Sequence, residues 1–549
     1  MKYIFVVGGV MSSVGKGVST ASIGRILQGR GYKVSLVKCD MYINIDAGTI
    51  RPTEHGEVFV GEDGIEADQD LGNYERFTGV TSTRDNYITT GQVYKTVIEK
   101  ERNLGYAGED VEVVPDIPNE IIRRIQVAGK KNKADITIIE IGGTVGEYQN
   151  ILFLEAIRMM KLKYPKDIAL VLVSYLPIPR SIGEMKTKPT QYASRSLNSA
   201  GLQPDFILCR AEKPIDEPRR KRLAIFCGIK EGNAISAPDV ESIYDIPVIY
   251  EREKLSDKLL EALSLKSRTR DMKEWKELVS KIKRAKTPVK IGIVGKYFGT
   301  GDFTLSDSYI SVIEAIRHAA WQANRKPEIT WLNAESYEHD KRKLKELDEF
   351  DGVIVPGGFG TRGLEGKIRA IEYVREHNIP FFGLCLGMQL AAIEFARNIC
   401  KLNDANTEEA GTNSKNNVIH VMLEQVEKLK QKNYGATMRL GAYPAVLASD
   451  SISRKAYGKR NITERHRHRY EFNNKYRELF EKKGMRMAGV SPDNKLVEII
   501  ELIKHPFFVG VQFHPEFTSR PVAPNPLFAA FIEAADKCRF KKSKVATKR

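Results

Sequence analysis

The feature that most constrains the fold is a series of short, fully apolar runs separated by helix-like stretches. Before residue 251 these runs lie at residues 3–9, 33–39, 135–143, 168–176, 206–210 and 246–250. Strands that are apolar throughout, rather than alternating, are typical of a parallel sheet covered on both faces. The pattern begins again at residues 289–297 and continues at 351–358, 379–385 and 507–513. We therefore expect an α/β protein with two doubly wound domains.

The stretch between the two series sets the predicted domain boundaries. Residues 251–287 are rich in Lys, Arg and Glu and end at Thr287-Pro288, which indicates an exposed helical linker. We predict a first domain over 1–266, a linker over 267–288, a second domain over 289–535 and a basic disordered tail over 536–549. A chain of 549 residues accommodates two such domains.

Several classes of protein are excluded by the same sequence. Apolar runs such as residues 168–176 are about half of the roughly 20 residues that a membrane-spanning helix needs. The N-terminus reads as a strand and lacks a signal-peptide cleavage pattern. The six cysteines have no CxxC spacing, so neither a disulfide framework nor a zinc site is supported. We expect a cytoplasmic protein with no membrane partner.

The net charge of +16 does not by itself indicate a nucleic-acid partner. Residues 251–290 hold 13 basic and 7 acidic residues, and residues 536–549 hold 7 and 1, so each stretch contributes +6. A nucleic-acid protein more often places such charge on one recognition face with stacking aromatics. We expect solvated basic segments, and small polyanionic ligands such as nucleotides.

A glycine-rich turn follows the first predicted strand and precedes a helical stretch. Its sequence from Gly8 ends in Gly15-Lys16-Gly17, a combination that can cradle phosphate with backbone N–H groups and a lysine. The match to the usual P-loop is imperfect, because Val10 replaces the first glycine and Gly17 follows the lysine instead of Ser or Thr. A structural tight turn is the alternative, which the lysine disfavours.

The missing hydroxyl residue affects any magnesium site. Mg²⁺ prefers one or two carboxylates plus water and phosphate oxygens. Candidates are Asp70 and Glu140, the latter at the end of a predicted strand, where doubly wound folds bind ligands. Each acid taken alone can equally be a surface or capping residue. A further basic segment, Lys186–Gln191, can hold a second triphosphate or can be a solvated loop.

The second domain contains a candidate thiol nucleophile. Cys385 lies between Gly383 and Gly387 in a strand–turn–helix pattern that resembles a nucleophile elbow. A helix N-terminus favours thiolate. His514 and Glu516 close another predicted strand and supply a base and a carboxylate to orient it.

Other residues of this domain are assigned by the same reasoning. Pro356–Gly360 ends a strand and can offer backbone N–H groups to an oxyanion. His466 and His468 lack Cys or acid partners in sequence, so we predict no metal there. The remaining cysteines considered are expected to be inert: Cys39, Cys209, Cys227 and Cys400.

These motifs are together similar to a known family. The second domain resembles class I glutamine amidotransferases, which carry GxCxGxQ and HPE motifs. The whole chain over about residues 1–530 resembles the CTP synthase family, through motifs that follow in the family's order. They are GGVMSSVGKG, YINIDAGT, EHGEVFV, LGNYERF, IGGTVGE, SIGEMKTKPTQ, FCGI, SIYDIP, VPGGFGTRG, GLCLGMQ, ATMRLGA, ERHRHRYEFN and QFHPEFTSRP.

The resemblance implies a coupled reaction. An N-terminal P-loop-type synthase (amidoligase) domain uses ATP to phosphorylate O4 of UTP, and ammonia then displaces phosphate to give CTP. A C-terminal glutamine amidotransferase domain releases that ammonia from glutamine through a Cys385 thioester, and ammonia passes through an internal channel. Mg²⁺ as cofactor, GTP as activator, CTP as feedback inhibitor and a homotetramer are also implied.

The resemblance also assigns residues. ATP is implied at Ser13, Val14, Gly15, Lys16, Gly17, Lys38, Arg210 and Asp239, and the metal at Asp70 and Glu140. UTP and CTP are implied at Ser12, Glu147, Tyr148, Gln149, Lys186, Thr187, Lys188, Pro189, Thr190, Gln191 and Arg222. Glutamine and its oxyanion are implied at Gly357, Gly358, Phe359, Leu386, Gln389, Glu409 and Arg469.

Some residues depart from the family pattern. Glu147 and Gln149 stand in a GTVGEYQ sequence where relatives often have GTVGDIE, which puts the strength of CTP feedback in question. Arg222 replaces a common lysine, and Met41 a common proline. The loop at residues 298–307 is longer than expected, which suggests altered GTP activation.

Three other functions remain to be weighed. The first is another P-loop ATP-dependent glutamine amidotransferase of the same plan, such as a cobyrinic acid amidase; the Lys186–Gln191 segment argues against it. The second is a catalytically silent paralogue, which retention of the candidate catalytic residues disfavours. The third is nucleic-acid binding, which has only the net charge behind it.

Overall fold

The structure is a computed structural model of the chain. It describes residues 1–51, 56–296, 299–300, 303–304, 306–358, 360, 362–410, 414–422, 425, 435 and 437–546. The chain forms two compact units, one from residues 1–47 and 70–279 and the other from residues 48–69 and 280–549. Both units are α/β, which confirms the predicted fold class.

A parallel sheet is the centre of the first unit. Its strands are β1 (Lys2–Gly9), β2 (Val34–Asp40), β3 (Tyr87–Thr89), β4 (Ile136–Ile141), β5 (Ile168–Tyr175), β6 (Phe206–Ala211) and β7 (Ala234–Pro238). They are ordered β3-β2-β4-β1-β5-β6-β7, and every neighbouring pair is parallel. All residues of β2 and β4 are buried, because helices cover both faces.

The helices of the first unit connect these strands. They are α1 (Lys16–Gly29), α2 (Asp70–Thr78), α3 (Thr90–Arg102), α4 (Val113–Lys131), α5 (Ile151–Lys163), α6 (Lys188–Ser199), α7 (Glu217–Cys227), α8 (Ile246–Arg252), α9 (Leu255–Ala262) and α10 (Lys273–Arg284). The carboxyl ends of β1, β2 and β4 meet at one edge of the sheet, where the glycine-rich turn lies.

The predicted strand at residues 246–250 is wrong, because this run forms α8. Ser242 caps a preceding 3-10 turn by accepting a hydrogen bond from the Tyr244 N–H. Pro247 lies in the first turn of α8, where its missing N–H is tolerated. A five-residue apolar run cannot by itself distinguish a buried helix turn from a strand.

The predicted exposed linker is also packed more tightly than expected. Trp275 of α10 is 1% exposed, and its ring lies 5.3 Å from that of Phe77. Its indole N–H donates to the Tyr244 carbonyl at 2.9 Å. The first unit therefore extends to residue 279, beyond the predicted boundary at 266.

The second unit contains a mixed sheet. Its strands are β8 (Pro288–Gly295), β9 (Lys326–Asn333), β10 (Gly352–Val355), β11 (Phe381–Leu384), β12 (Arg439–Leu447), β13 (Asn461–His468), β14 (Met485–Val490), β15 (Val497–Leu502) and β16 (Phe508–Val511). The order is β9-β8-β10-β11-β16-β15-β14-β12-β13. The pairs from β9 to β16 are parallel and those from β16 to β13 are antiparallel.

The last helix of the second unit covers much of the predicted tail. The helices of this unit are α11 (Ile310–Gln322), α12 (Ala334–His339), α13 (Leu364–Glu376), α14 (Leu386–Asn398), α15 (Ile452–Tyr457), α16 (Arg477–Lys482) and α17 (Pro526–Ala546). The tail predicted to be disordered from residue 536 is helical to Ala546, because α17 continues from buried Phe531 and Ile532. Asp536 also accepts from Arg325 at 2.7 Å.

A short segment of the N-terminal sequence belongs to the second unit. Residues 48–69, which the sequence-based division keeps in the first domain, form the antiparallel pair Phe59–Val60 and Glu66–Ala67. The Phe59 ring packs edge-on against Phe517 with centroids 5.2 Å apart. Glu66 accepts from the Arg467 guanidinium at 2.8 Å.

In the described part of the chain, no helix has both the length and the apolar character that crossing a membrane requires.

Candidate active sites

The glycine-rich turn joins β1 to α1 as the sequence predicts. Gly15 has φ 89°, in the left-handed region that glycine adopts at no steric cost, and it caps α1. Lys16 begins the helix, and its Nζ donates to the Gly143 carbonyl at 2.9 Å. Burial lowers the pKa of Lys16, an effect that the nearby Glu140 carboxylate opposes. Backbone N–H groups and an ammonium thus converge at one sheet edge.

Gly17 takes the place of the Ser or Thr of the usual P-loop, and a carboxylate lies beside it. A Cβ at residue 17 would lie 1.8 Å from Asp70 Oδ1, so the Asp70 carboxylate occupies the space that a side chain there would need. Asp70 begins α2, far from the turn in sequence. The departure from the usual P-loop therefore coincides with a carboxylate beside the turn.

Lys38 connects the two predicted metal ligands. Its Nζ lies 2.6 Å from Asp70 Oδ2 and 2.8 Å from Glu140 Oε1. Tyr74 donates a hydrogen bond to the other Glu140 oxygen. Burial and the Asp70 charge raise the pKa of Glu140, whereas Lys38 opposes this. The structure thus brings together four residues that the sequence analysis singled out: Lys16, Lys38, Asp70 and Glu140.

The Asp70 and Glu140 carboxylates fit a magnesium ion that phosphate oxygens also coordinate. No group of three His, Cys, Asp or Glu side chains suited to a metal occurs among the described residues. Asp70 and Glu140 nevertheless both contact one cation, the Lys38 ammonium group. Asp40 Oδ2, which the sequence analysis did not single out, is buried there without a hydrogen-bond partner in the described structure. Two carboxylates suffice when phosphate and water complete the shell of Mg²⁺.

Arg210, one of the residues implied to bind ATP, lies beside the turn. Arg210, at the end of β6, donates to Asp239 at 2.8 Å. The Arg210 Nε would lie 3.5 Å from a Cβ placed on Gly15. Ser13 is exposed and has φ 54°, whereas Val14 is buried.

The Lys186–Gln191 segment begins α6 at the same edge of the sheet. Thr190 is fully buried, and its hydroxyl hydrogen-bonds to Ser174 of β5 at 2.8 Å. Gln191 donates to Thr187 at 3.1 Å, and Lys186 pairs with Glu184 at 2.7 Å. Lys188 and Pro189 form the first turn of the helix.

The remaining predicted pyrimidine-site residues differ in exposure. Glu147 Oε2 would lie 2.8 Å from a Cβ on Gly143, whose carbonyl accepts from Lys16, so Glu147 is near the turn. The side chain of Tyr148 is 92% exposed. Ser12, Gln149 and Arg222 are also exposed. These four residues present their side chains to solvent, and the structure leaves their predicted role untested.

Cys385 lies in a sharp turn between β11 and α14. Its φ of 49° and ψ of −101° are unusual for a residue with a side chain, as at the nucleophile elbow the sequence predicts. A Cβ on Gly387 would lie 2.0 Å from the Val355 carbonyl, and one on Gly383 would lie 2.8 Å from Gly387. Both flanking glycines are therefore required by close backbone approach.

His514 and Glu516 complete a triad with Cys385. His514 Nδ1 lies 2.7 Å from Glu516 Oε1, so Nε2 is the nitrogen that can take the thiol proton. Burial lowers the pKa of His514, but the negative charges of Glu516 and Cys385 outweigh it and raise the pKa to about 10. The charged imidazolium form of His514 is thus favoured.

The predicted oxyanion residues lie beside this triad, and the described glutamine residues are buried or hydrogen-bonded in the same unit. Gly357 and Gly358 line the same cavity as Cys385. Gly360 N–H donates to Glu409 at 2.9 Å, and burial raises the pKa of Glu409. Arg469 donates to Thr437 at 2.8 Å. Gln389 and Leu386 are buried in the first turn of α14, whereas Phe359 lies outside the described residues.

The cavity beside Cys385 has a wall that the sequence analysis assigned to the other domain. It encloses about 270 Å³, and residues 48–69 contribute Ile50, Arg51, Glu57 and Val58 to its lining. Glu57 accepts from the Ser311 N–H at 3.1 Å, at the start of α11. The YINIDAGT and EHGEVFV motifs mark this segment, but no local signal shows which unit it joins.

His466 and His468, where the sequence predicts no metal, form contacts with each other and with the main chain. His466 Nδ1 and His468 Nε2 lie 3.1 Å apart, and His468 Nδ1 lies 2.9 Å from the Tyr470 carbonyl. Burial and the Arg439 charge lower the pKa of His468 to about 3. Both rings are therefore neutral members of a hydrogen-bond chain. Cys39, Cys209 and Cys227 are buried, as predicted for inert thiols.

Two family models match this chain. The family model "CTP synthase N-terminus" matches residues 2–265, and "Glutamine amidotransferase class-I" matches residues 304–534. A CTP synthase of Cyanothece sp. is 49% identical over 97% of this chain and 96% of the relative. One of Methanococcus maripaludis is 48% identical over 97% of this chain and 99% of the relative.

Solved structures were compared as well. The glutaminase domain of Trypanosoma brucei CTPS with bound acivicin is 38% identical, with a TM-score of 0.42, and covers 45% of this chain and 94% of that domain. Because the chain is 49% and 48% identical to these two relatives over nearly its full length, it belongs to the CTP synthase family.

Proposed function

We propose that the chain is a glutamine-hydrolysing CTP synthase, a ligase that forms a C–N bond. It converts UTP, ATP and glutamine to CTP, ADP, phosphate and glutamate, the amination step of pyrimidine nucleotide synthesis. The observation that carries the proposal is a thiol–imidazole–carboxylate triad, Cys385–His514–Glu516, in a chain that also has a phosphate-binding turn with buried lysines. One site releases ammonia and the other activates its acceptor.

Glutamine hydrolysis follows from the triad. The Cys385 thiol gives its proton to His514, and Sγ attacks the side-chain carbonyl of glutamine. Backbone N–H groups of Gly357 and Gly358, which line the same cavity as Cys385, are assigned to the oxyanion. His514 then protonates the leaving ammonia, and water hydrolyses the thioester to glutamate.

Glutamine itself is proposed to be held by further residues of the second unit. Glu409 and Arg469 offer opposite charges for the α-ammonium and α-carboxylate groups. Both have geometry fixed by other contacts, to Gly360 and Thr437 respectively. Gln389, Leu386 and Phe359 complete the proposed glutamine set.

UTP activation is assigned to the first unit. Lys16 and Lys38 supply positive charge where the transferred phosphoryl group becomes more negative, since such transfer needs positioning and charge stabilisation. Phosphorylation of uracil O4 converts a poor leaving oxygen to phosphate. Ammonia then attacks C4, and phosphate departs to leave CTP.

Asp70 and Glu140 are the residues that would hold Mg²⁺. Mg²⁺ supplies neutralisation of the phosphate charges there. Lys38 contacts both carboxylates at 2.6 and 2.8 Å and opposes the rise in the Glu140 pKa. We infer that Lys38 exchanges these partners for phosphate oxygens when nucleotide binds.

The nucleotides are proposed to bind along the same sheet edge. ATP is assigned to Ser13–Gly17, Lys38, and the Arg210–Asp239 pair beside Gly15. UTP, and CTP as feedback inhibitor, are assigned to Ser12, Glu147–Gln149, Lys186–Gln191 and Arg222. Support comes from the packing of α6 against β1, since a Cβ on Gly9 would lie 2.5 Å from Ala193.

Regulation and assembly are proposed from the family. We expect GTP to activate glutamine hydrolysis and the chain to form a homotetramer in the cytoplasm. Large exposed apolar side chains on the first unit support self-association, among them Tyr148, Tyr192, Ile225 and Phe226. The long loop at 298–307, which motivated the expectation of altered GTP activation, lies mostly outside the described residues.

Spectrophotometric CTP formation tests the proposal. Purified protein is given UTP and ATP with either glutamine or ammonium chloride, and CTP is expected from both nitrogen sources. Rates with and without GTP test activation. Consumption of ATP and glutamine without amination of UTP would contradict the function.

Another P-loop ATP-dependent glutamine amidotransferase of the same plan is the alternative. It shares the triad and the phosphate turn, and differs in the acceptor. Ammonia-dependent assays with UTP and with other acceptors distinguish the two, because only a CTP synthase aminates UTP.

A further inference from the structure

Gln512 is a buried residue beside the candidate nucleophile that the triad mechanism does not use. It follows β16 and precedes His514 by two positions, and it is 1% exposed. Its Nε2 lies 3.6 Å from Cys385 Sγ, within hydrogen-bond range for sulfur. An amide N–H donor therefore faces the atom that becomes negatively charged.

Neighbouring contacts fix which end of the amide faces sulfur. Gln512 Oε1 accepts from Gln389 Nε2 at 3.2 Å, and that nitrogen also donates to the Tyr470 carbonyl at 3.0 Å. Since Gln389 presents its NH₂ group to both carbonyls, the Gln512 oxygen must point toward Gln389. The NH₂ group of Gln512 is then left to face Cys385.

The sulfur has distinct partners for its two protonation states. A neutral thiol can donate to the Arg467 carbonyl, which lies 3.8 Å from Sγ. A thiolate has no proton to donate and can only accept, as it does from Gln512. A hydrogen bond to a charged acceptor is stronger than one to its neutral form. The Gln512 contact thus favours the thiolate selectively.

We propose that Gln512 is a further catalytic residue, which donates an amide hydrogen bond to the Cys385 thiolate and keeps it charged and aligned for attack on glutamine. This deepens the proposed function, because it rests on Cys385 being the nucleophile. The amide loses no proton during the reaction.

The Gln512 amide acts when the thioester forms and again when it is hydrolysed. The thiol proton moves to His514, the S–C bond to glutamine forms, and the C–N bond breaks as ammonia takes that proton. In the thioester the sulfur is neutral, so the Gln512 contact weakens. When water attacks, the S–C bond breaks and the thiolate returns, which the amide again stabilises as a leaving group.

Other charged groups near Sγ act together with Gln512. His514 and Glu516 follow β16, and the Arg467 main chain belongs to β13. Arg51 and Glu57 line the same cavity from the 48–69 segment. The sulfur also lies at the N-terminus of α14, where the helix dipole favours negative charge.

The test measures the thiol pKa directly. Iodoacetamide alkylation of Cys385 is followed against pH by mass spectrometry in full-length protein without glutamine, for wild type, Gln512→Met and Gln512→Glu. Gln512→Met removes the donor at similar length and is expected to raise the thiol pKa by about one to two units. Alkylation well below the wild-type pKa should fall about 10- to 100-fold. Gln512→Glu adds a negative charge and should raise the pKa further.

Controls separate this inference from the proposed function and from misfolding. Gln322→Leu changes an exposed glutamine at the end of α11 and should leave the profile unchanged. Ammonia-dependent CTP formation should persist in the Gln512 variants, which shows that the chain is folded. Glutamine-dependent kcat should fall with the alkylation rate, whereas a packing role would leave the thiol pKa unchanged.

Each outcome has one meaning. An unchanged alkylation profile in both Gln512 variants overturns the inference, even where glutamine turnover falls. If they fail to fold, Gln389→Leu, which frees the Gln512 amide to rotate, should move the same profile upward, and no movement again overturns it. Wild-type protein whose Cys385 resists alkylation across the pH range would instead refute the nucleophile assignment, and with it the proposed function.

Discussion

The two candidate sites of this chain handle charge in opposite ways. In the first unit, Lys38 is held by Asp70 and Glu140, so the cation and the carboxylates neutralise one another before any ligand binds. In the second unit, His514 and Glu516 form a pair aimed at Cys385, and the remaining contacts are backbone and amide groups. In the first site the charged side chains contact one another. In the second site the side chains are arranged around one reactive atom, Cys385 Sγ.

This difference matches the chemistry proposed for each site. Phosphoryl transfer depends on where cations lie relative to the phosphates, so a site can exchange ion partners as substrates arrive. Thioester formation depends on the alignment of one sulfur, which a strained turn and buried hydrogen bonds supply in advance. The comparison predicts that substitutions in the second site act on geometry and those in the first on charge.

Cys385→Ala gives the strongest separation of the two sites. It should reduce glutamine-dependent CTP formation by about 10⁶-fold, because the nucleophile is lost. Ammonia-dependent formation should remain near wild type. Parallel assays with glutamine and ammonium chloride measure the ratio, and loss of both activities would contradict separable sites.

Glu516→Gln tests whether the second site depends on the orientation of one ring. The amide cannot support the His514 imidazolium, so glutamine-dependent kcat should fall about 10³- to 10⁴-fold. With Glu516 present, the folded pKa of His514 is raised to about 10, above its ordinary value of 6.5. Stability from the charged ring is therefore full below about pH 6.5 and is lost as pH rises through about 10.

Glu516→Gln should make the stability of the folded protein less dependent on pH. Thermal unfolding of wild type and Glu516→Gln between pH 6 and 10.5 measures it. Identical pH dependence in the two proteins would show that Glu516 does not hold the imidazolium.

Lys16→Ala tests the first site. Removal of an ammonium that faces the phosphates should lower CTP formation about 10²- to 10³-fold, the typical loss of one transition-state donor. The loss should be equal with glutamine and with ammonia, since both routes need activated UTP. Lys130→Ala, an exposed lysine in the last turn of α4, serves as the matched control. Unimpaired ammonia-dependent synthesis in Lys16→Ala would refute the assigned role.

Lys367→Met extends the comparison to a buried lysine without a carboxylate partner among the described residues, and the free energy of unfolding is what is measured. Lys38 has two carboxylate partners, whereas Lys367 of α13 is fully buried and its Nζ has no hydrogen-bond partner in the described structure. Burial, and then the Lys296 charge, lowers the pKa of Lys367 to about 7. The unfolded chain thus binds more protons between about pH 7 and 10.5, and wild-type stability rises with pH there.

Replacement of that amine by a thioether should add about 1–3 kcal/mol to the free energy of unfolding at pH 7. The gain should shrink at pH 9.5, where the amine is neutral. Urea unfolding at both pH values measures it, with Lys455→Met as an exposed control on α15. A variant less stable than wild type at pH 7 would contradict the expected cost of burying the cation.

Local patterns predicted most of the buried strands well. Apolar runs located the buried strands, and glycines flanking Cys385 located the turn because backbone approach excludes side chains there. The run at 246–250 misled, since a short apolar segment satisfies either a helix or a strand. Resemblance assigned Asp70, but only the structure shows its carboxylate filling the space at Gly17.

Other features could not be predicted because they depend on residues far apart in sequence. Glu66 and Arg467 are paired at 2.8 Å, yet neither residue has a local signal for the other. Gln512 looks like one more strand residue until the Cys385 sulfur is placed 3.6 Å from its amide. Such pairings are set by tertiary packing and not by local propensity.

The position of residues 48–69 in the second unit has a consequence for dividing the gene. A fragment expressed from residue 280 onward would lack Phe59, Glu57 and Glu66, and with them one wall of the Cys385 cavity. Arg467 would lose its buried carboxylate, and Phe517 its aromatic neighbour. A cut at residue 280 therefore separates the glutamine pocket from part of its lining, and a split that carries the early segment along, by grafting or circular permutation, keeps that lining.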